Sequence, residues 1–244
     1  MARFFDEAAW QQAIAQPDWY LKLYPELKAL RKRRESTPTS EANTIKSEMR
    51  HFFETALLEN KVALAKHGPN LDRERKPIDT IIIHHTSANP GYHLSYMNAV
   101  QLLNIYVPYF NNPSTSIPGE ARLKGAPLWS NHVRDGRQVF YVYHWLMRMD
   151  GSFERLLEDN ELGWHAANWD INCRSVGICL DNDYDQRDPA PEVLRKLAGF
   201  IAERYPKISH DRIFGHREVS QHPTTCPGKN FVNSWKRELT ELLG

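Results

Sequence analysis

The chain has 244 residues, with 31 basic against 30 acidic side chains and a formal net charge of +1 at pH 7. So even a balance excludes a strongly basic nucleic-acid binder and an acidic solvating chain, while 41% hydrophobic and 25% charged residues is ordinary globular usage. No apolar run reaches the roughly 18 residues of a membrane-spanning helix, and Met1-Ala2-Arg3-Phe4-Phe5-Asp6-Glu7 lacks the basic, apolar, small-residue plan of a signal peptide.

In chain order, Asp6 to Ala15 reads as a short helix stopped before Pro17. Trp19, Leu23, Leu27 and Leu30 recur every three or four residues and predict a second helix. It ends in the basic run Arg31 to Arg34, read as a solvated helix end suited to the dipole rather than a contact for an anionic polymer. Ile45, Met49, Phe52, Phe53, Ala56 and Leu57 form the buried stripe of a third helix, ended by Gly68-Pro69. Asn70 to Pro77 reads as a linker, which closes a helical N-terminal region over residues 1–77.

The pattern then changes. Ile78-Asp79-Thr80-Ile81-Ile82-Ile83 is a β-branched run of strand length. Ser95 to Tyr106 predicts a helix, followed by a long loop holding Pro108, Pro113, Pro118 and Pro127; the stretch 92–137 reads as an insertion. Gln138 to Met149 and Ser152 to Leu157 flank the Asp150-Gly151 turn and predict a hairpin. Ser175 to Leu180 is a second buried strand, Pro191 to Tyr205 a helix and Phe231 to Leu243 a last helix. Strands interleaved with helices predict a mixed α/β domain over 78–244, with a central sheet flanked by helices and an N-terminal helical extension.

Eleven histidines and three cysteines raise the question of metal chemistry, and three cysteines are too few for a disulfide scaffold. The pairing of Cys173 with Cys179 is left open. His84-His85-Thr86 stands where the first strand ends, a place where a sheet holds a side chain still in front of a cleft. Neighbours on a strand point to opposite faces, so His84 and His85 do not share an ion. Gly215-His216-Arg217-Glu218-Val219 precedes Cys226-Pro227-Gly228, with ten residues from His216 to Cys226. Two histidines and a thiolate make three ligands for zinc, leaving a fourth tetrahedral position for water.

Several motifs occur in a telling order: Ile-Ile-Ile-His-His-Thr, then Tyr143-His144-Trp145-Leu146 with Arg148-Met149-Asp150-Gly151, then Gly163-Trp164-His165-Ala166. Asn172-Cys173-Arg174-Ser175-Val176-Gly177-Ile178, Gly215 to Val219 and Thr225-Cys226-Pro227-Gly228 follow. Together, over about residues 78–243, they resemble the zinc amidases of the peptidoglycan recognition protein and phage-lysozyme superfamily. The resemblance implies an amidase/PGRP-like fold and an N-acetylmuramoyl-L-alanine amidase, in which zinc-activated water cleaves the amide between N-acetylmuramic acid and the L-alanine of the stem peptide. It implies Zn2+ on His84, His216 and Cys226, with peptidoglycan or muropeptides as the partner and no nucleic acid. Cys226 separates an enzyme from members that only bind peptidoglycan. Tyr143 and Thr224 take catalytic places as donors to the oxyanion. Trp164, His165, Asn172 and Arg174 are weaker substrate-groove candidates, Arg174 suiting a stem-peptide carboxylate.

Glu154 is a candidate base, although an exposed strand charge is the simpler reading. His222 lies in a segment longer than the family pattern and is a rival ligand, although a surface role is simpler. Two other functions stay open here: a peptidoglycan recognition module without turnover, and a zinc amide hydrolase acting on another acylated peptide. With no export signal recognised, a lysin, an exported effector and a recycling enzyme all fit. Protein partners, and what residues 1–77 do, do not follow from these residues.

Overall fold

The computed structural model describes residues 4–88, 90–91, 127–128, 132–139 and 142–244. The predicted helix over 95–106 and most of the proline-bearing loop lie outside these residues. Two units are formed, one from Met1–Leu71 with Tyr96–Phe140 and the other from Asp72–Ser95 with Tyr141–Gly244. Of the stretch expected as an insertion, only residues 127–128 and 132–137 are among those described.

The helical unit contains α1 (Glu7–Ile14), α2 (Trp19–Glu35) and α3 (Thr39–Leu58). Asp6 caps α1, its side chain accepting the Ala9 N–H at 3.0 Å. The predicted stripes face one another: Trp10, Ile14, Trp19, Leu23, Leu27, Ile45, Phe52 and Phe53 belong to one buried cluster. Trp10 meets Phe52 edge-on at 5.4 Å between ring centroids, a favoured aromatic geometry. The third helix stops at Leu58, ten residues before Gly68. Its C-cap is Glu59, and Asn60 follows in a left-handed conformation at φ 55°, which ends the helix without glycine. The short pair β2 (Val133–Arg134) and β3 (Arg137–Gln138) completes the described part of this unit.

In the other unit, β1 (Thr80–His85), β4 (Trp145–Met147), β5 (Phe153–Arg155), β6 (Ser175–Leu180) and β7 (Ile213–Gly215) form one sheet in the order β5-β4-β6-β1-β7. The strands β4, β6, β1 and β7 run parallel, and β5 joins antiparallel through the hairpin, so the sheet is mixed as expected. The first strand begins and ends two residues later than its apolar run and so includes both histidines. Gln138 to Met149 is not one strand: Gln138 ends β3, and only Trp145–Met147 enters the sheet. The expected linker carries a 3-10 turn at Leu71–Glu74, and the last helix begins at Trp235 rather than Phe231.

Register assigns the two faces. Thr80 pairs with Ser175, Ile82 with Gly177 and His84 with Cys179, and alternation puts these six on one face. Ile81 and Ile83 face the other way. There they pack with Val176 and Ile178 against α5 (Pro191–Arg204) and α7 (Trp235–Leu242), through Leu194, Leu197, Ile201, Trp235 and Leu239. On the first face, the loop 163–168 and α4 (Trp169–Arg174) lead directly into β6. No helix among the described residues is long and apolar enough to cross a membrane.

Candidate metal centre

His84, the fifth residue of β1, is fully buried. Strand β7 pairs with β1 at Ile83↔Gly215, which delivers the next residue, His216, to the same end of the sheet at the start of α6 (His216–Val219). The loop after α6 returns Cys226, whose carbonyl accepts the Arg217 N–H at 2.8 Å. The consequence is a group of three ligand atoms, one each from His84, His216 and Cys226, all within 4.8 Å of one another. Nδ1 of His84 lies 3.7 Å from Cys226 Sγ, and the two imidazole centroids are 4.8 Å apart. His85 turns away: its Nδ1 accepts the Tyr184 N–H at 3.0 Å.

Electrostatics keep these rings neutral. Burial, and then the neighbouring His216, His165, His85 and His144, push His84 well below the usual imidazole range. Burial takes His216 down to about 4, against a hydrogen bond from its ring to the Ala166 backbone that works upward. A neutral imidazole presents a lone pair, which a metal ligand needs.

Tyr143 stands beside this group, its ring centroid 4.6 Å from that of His84. Thr224 is half-buried two residues from Cys226 and accepts the Cys226 N–H at 3.2 Å through its hydroxyl oxygen. That bond leaves the hydroxyl proton to be donated elsewhere. Trp164 is partly exposed and meets Trp169 edge-on at 6.2 Å.

The other groove candidates are placed differently. His165 is buried, and both ring nitrogens face protein: Nδ1 is 2.9 Å from His84 Nε2, and Nε2 is 3.3 Å from Ser175 Oγ. Asn172 is fully buried, its Oδ1 accepting the N–H groups of His165 at 3.1 Å and Ala166 at 2.8 Å. Arg174 precedes Ser175, at the opposite end of β6 from Cys179, and pairs there with Asp79 at 3.2 Å. His165 and Asn172 are thus held by groups of the protein itself, and Arg174 lies at the far end of β6 from the ligand group. Glu154 is held bidentately by Arg148 at 2.7 and 2.9 Å, and His222 is exposed outside the ligand group. Cys173 and Cys179 form no disulfide with one another.

Sequence reasoning passed over Ser175, Gly177 and the carbonyl of Ala166. Only Gly177 carries a signal: a glycine inside a Val-Ile strand marks close approach of another group. A Cβ there would lie 2.9 Å from the His165 ring.

Comparison with known proteins bears on this geometry. The family profile for N-acetylmuramoyl-L-alanine amidase matches residues 74–229. The 1,6-anhydro-N-acetylmuramyl-L-alanine amidase AmpD of Haemophilus influenzae is 30% identical over 107 residues, 41% of this chain and 57% of that protein. The endolysin of Escherichia phage T7 is 24% identical over 100 residues, 39% of this chain and 64% of its own length. The chain thus spans about three fifths of the length of these relatives. Among solved structures, the amidase LysC from Clostridium intestinale aligns with a TM-score of 0.42 at 20% identity, over 68% of this chain and 85% of that one.

Proposed function

The chain belongs to the N-acetylmuramoyl-L-alanine amidase family, and on that premise we propose that it hydrolyses the amide joining N-acetylmuramic acid to L-alanine in peptidoglycan, with zinc held by His84, His216 and Cys226. The observation that carries this reading is the convergence of those three ligand atoms within 4.8 Å. The donor set fits the ion. Tetrahedral zinc, with bonds of about 2.3 Å to sulfur and 2.0–2.1 Å to nitrogen, sets N and S about 3.6 Å apart, against 3.7 Å between His84 Nδ1 and Cys226 Sγ. Nε2 of His216 is buried without a hydrogen-bond partner, as a nitrogen kept for a metal would be. Two imidazoles and one thiolate also leave room for a fourth, exchangeable ligand.

Bound there, zinc supplies Lewis acidity and activates water near neutral pH. The side chains do the rest. Tyr143, in ring contact with His84, donates a hydrogen bond to the carbonyl oxygen as it gains negative charge, and the Thr224 hydroxyl proton serves the same oxygen. Trp164 offers an aromatic face to the saccharide beside the site. Among the described residues the ligand group contains no carboxylate and Glu154 is tied to Arg148, so the proton for the departing amine is the one given up by the attacking water, passed directly or through solvent.

Zinc analysis paired with muropeptide digestion and mass spectrometry tests the proposal. Stoichiometric zinc and free stem peptide are expected. Cys226→Ser lowers turnover by at least about 100-fold, beyond the 10–100-fold typical of a residue behind a ligand, with the fold kept. Zinc binding with no stem peptide released from any muropeptide sinks the amidase reading in favour of recognition without turnover.

A further inference from the structure

Behind the ligands lies a chain of hydrogen bonds that ends on a main-chain carbonyl, and its direction can be worked out atom by atom. Ser175 Oγ is 2.6 Å from the carbonyl oxygen of Ile171. A carbonyl can only accept, so the single hydroxyl proton of Ser175 points to it. Ser175 Oγ must then accept from its other neighbour, Nε2 of His165 at 3.3 Å, which places the His165 proton on Nε2. A neutral imidazole with its proton on Nε2 has a bare Nδ1. That atom is 2.9 Å from Nε2 of His84, so the His84 proton sits on Nε2 and its lone pair on Nδ1, the nitrogen facing Cys226. One backbone oxygen in α4 thereby sets three protons and aims the ligand atom.

The same loop serves the second histidine. The backbone of Ala166, next in sequence to His165, hydrogen-bonds the His216 ring, whose Nε2 is the buried, unpartnered nitrogen. Asn172 holds both loop residues at once, through the N–H groups of His165 and Ala166. Asn168 ties the loop to the Val219 carbonyl, at the end of α6, at 3.2 Å. Glycine backbone forms walls around the His165 ring: a Cβ on Gly177 would come within 2.9 Å of it, and one on Gly163 within 3.1 Å.

We propose that the 163–168 loop, fastened by Asn172, is an orienting frame for the metal ligands, in which His165 and Ser175 fix the tautomer of His84 and Ala166 fixes that of His216. His165, Ser175, Asn172 and Gly177 are positioning residues that act through the two ligand rings and touch no substrate. The inference rests on the reading of this site as a zinc centre and extends it to the groups behind the ligands, which in metal sites set ring orientation and basicity.

Two measurements test it. Long-range 1H–15N correlation spectra of the zinc-free protein report imidazole tautomers, and His84 and His165 are both expected with the proton on Nε2. A His84 proton on Nδ1 overturns the proposal, whatever happens to the variants. Zinc affinity is then measured by competition with a chromogenic chelator in wild type, Ser175→Ala, Asn172→Ala and Gly177→Ala. Each folded variant is expected to bind about 10–100-fold more weakly, while a control at the far end of the strand, Arg174→Gln, stays within about twofold. Wild-type-like affinity in every folded variant overturns the frame alone. A wild-type protein that binds no zinc overturns the metal reading first, and the frame with it.

Discussion

In the helical unit the largest buried side chains are Trp10, Trp19, Tyr20 and Phe53, packed ring against ring. In the sheet unit, the face of β1 and β6 that bears the candidate centre buries His84, His144, His165, Asn172 and Ser175 instead. Apolar packing is non-directional, so its contribution follows area and volume. A buried polar group is tolerated only when hydrogen-bonded, and each bond specifies a direction. His144 shows the difference: its Nδ1 accepts the Gly177 N–H at 3.0 Å and its Nε2 faces the Glu161 carbonyl at 3.0 Å, so its ring cannot turn without losing both. Rings of similar size thus build stability in one unit and orientation in the other.

Substitutions can pull that contrast apart. The largest loss of stability is expected from Phe53→Ala, which opens a cavity under Trp10 and Trp19 and costs about 3–5 kcal/mol in urea unfolding. The folded variant should keep wild-type zinc affinity in the chelator assay; a weakened site would mean that packing in the helices also orients ligands.

An effect of similar size comes from pH. His216 titrates near 4 when folded and near 6.5 when unfolded, so between those values the unfolded chain binds the extra proton. Stability is therefore full above about pH 6.5 and falls as the pH drops towards 4, by about 3 kcal/mol from this ring. His84 and His165, both pushed down mainly by burial, act in the same direction. Chemical unfolding of the zinc-free protein from pH 7.5 to 4.5 checks the slope, and a flat profile would contradict neutral burial of the cluster. The smallest effect is expected from Arg174→Gln. It removes a half-exposed ion pair with Asp79 and costs under about 1 kcal/mol, with KM for muropeptide unchanged. A raised KM would return Arg174 to the substrate groove.

The parts of the fold legible in the sequence are those with enough residues to show a period. The buried runs of β1 and β6 and the stripes of α2, α3 and α5 are of this kind. Strand β7 has three residues and owes its existence to pairing with β1, which no local pattern reveals. Gln138 to Met149 misled because its Val, Tyr and Trp residues suit a strand along the whole run, whereas Gln138 belongs to the β2–β3 pair and Trp145–Met147 to the five-stranded sheet. At the site, the grouping of His84, His216 and Cys226 was readable because motif order and chemistry agree, and their ligand atoms do converge. The burial of Asn172 and His165 was not, because a polar side chain in a motif reads the same whether it faces a ligand or a loop. Burial decides between the two, and burial is a property of the whole fold.

The place of β1 in the strand order carries one further consequence. It is hydrogen-bonded on both sides, to β6 and β7, whereas β5 and β7 are the three-residue margins of the sheet. Margins open in local fluctuations at little cost, while interior strands exchange their amide hydrogens only in larger openings. His84 therefore rides on one of the last segments to loosen, and His216, attached to a margin, on one of the first. In deuterium exchange the Ile82 to His84 amides should be among the slowest in the chain, and, on the proposed zinc reading, release of the ion should begin from the His216 side.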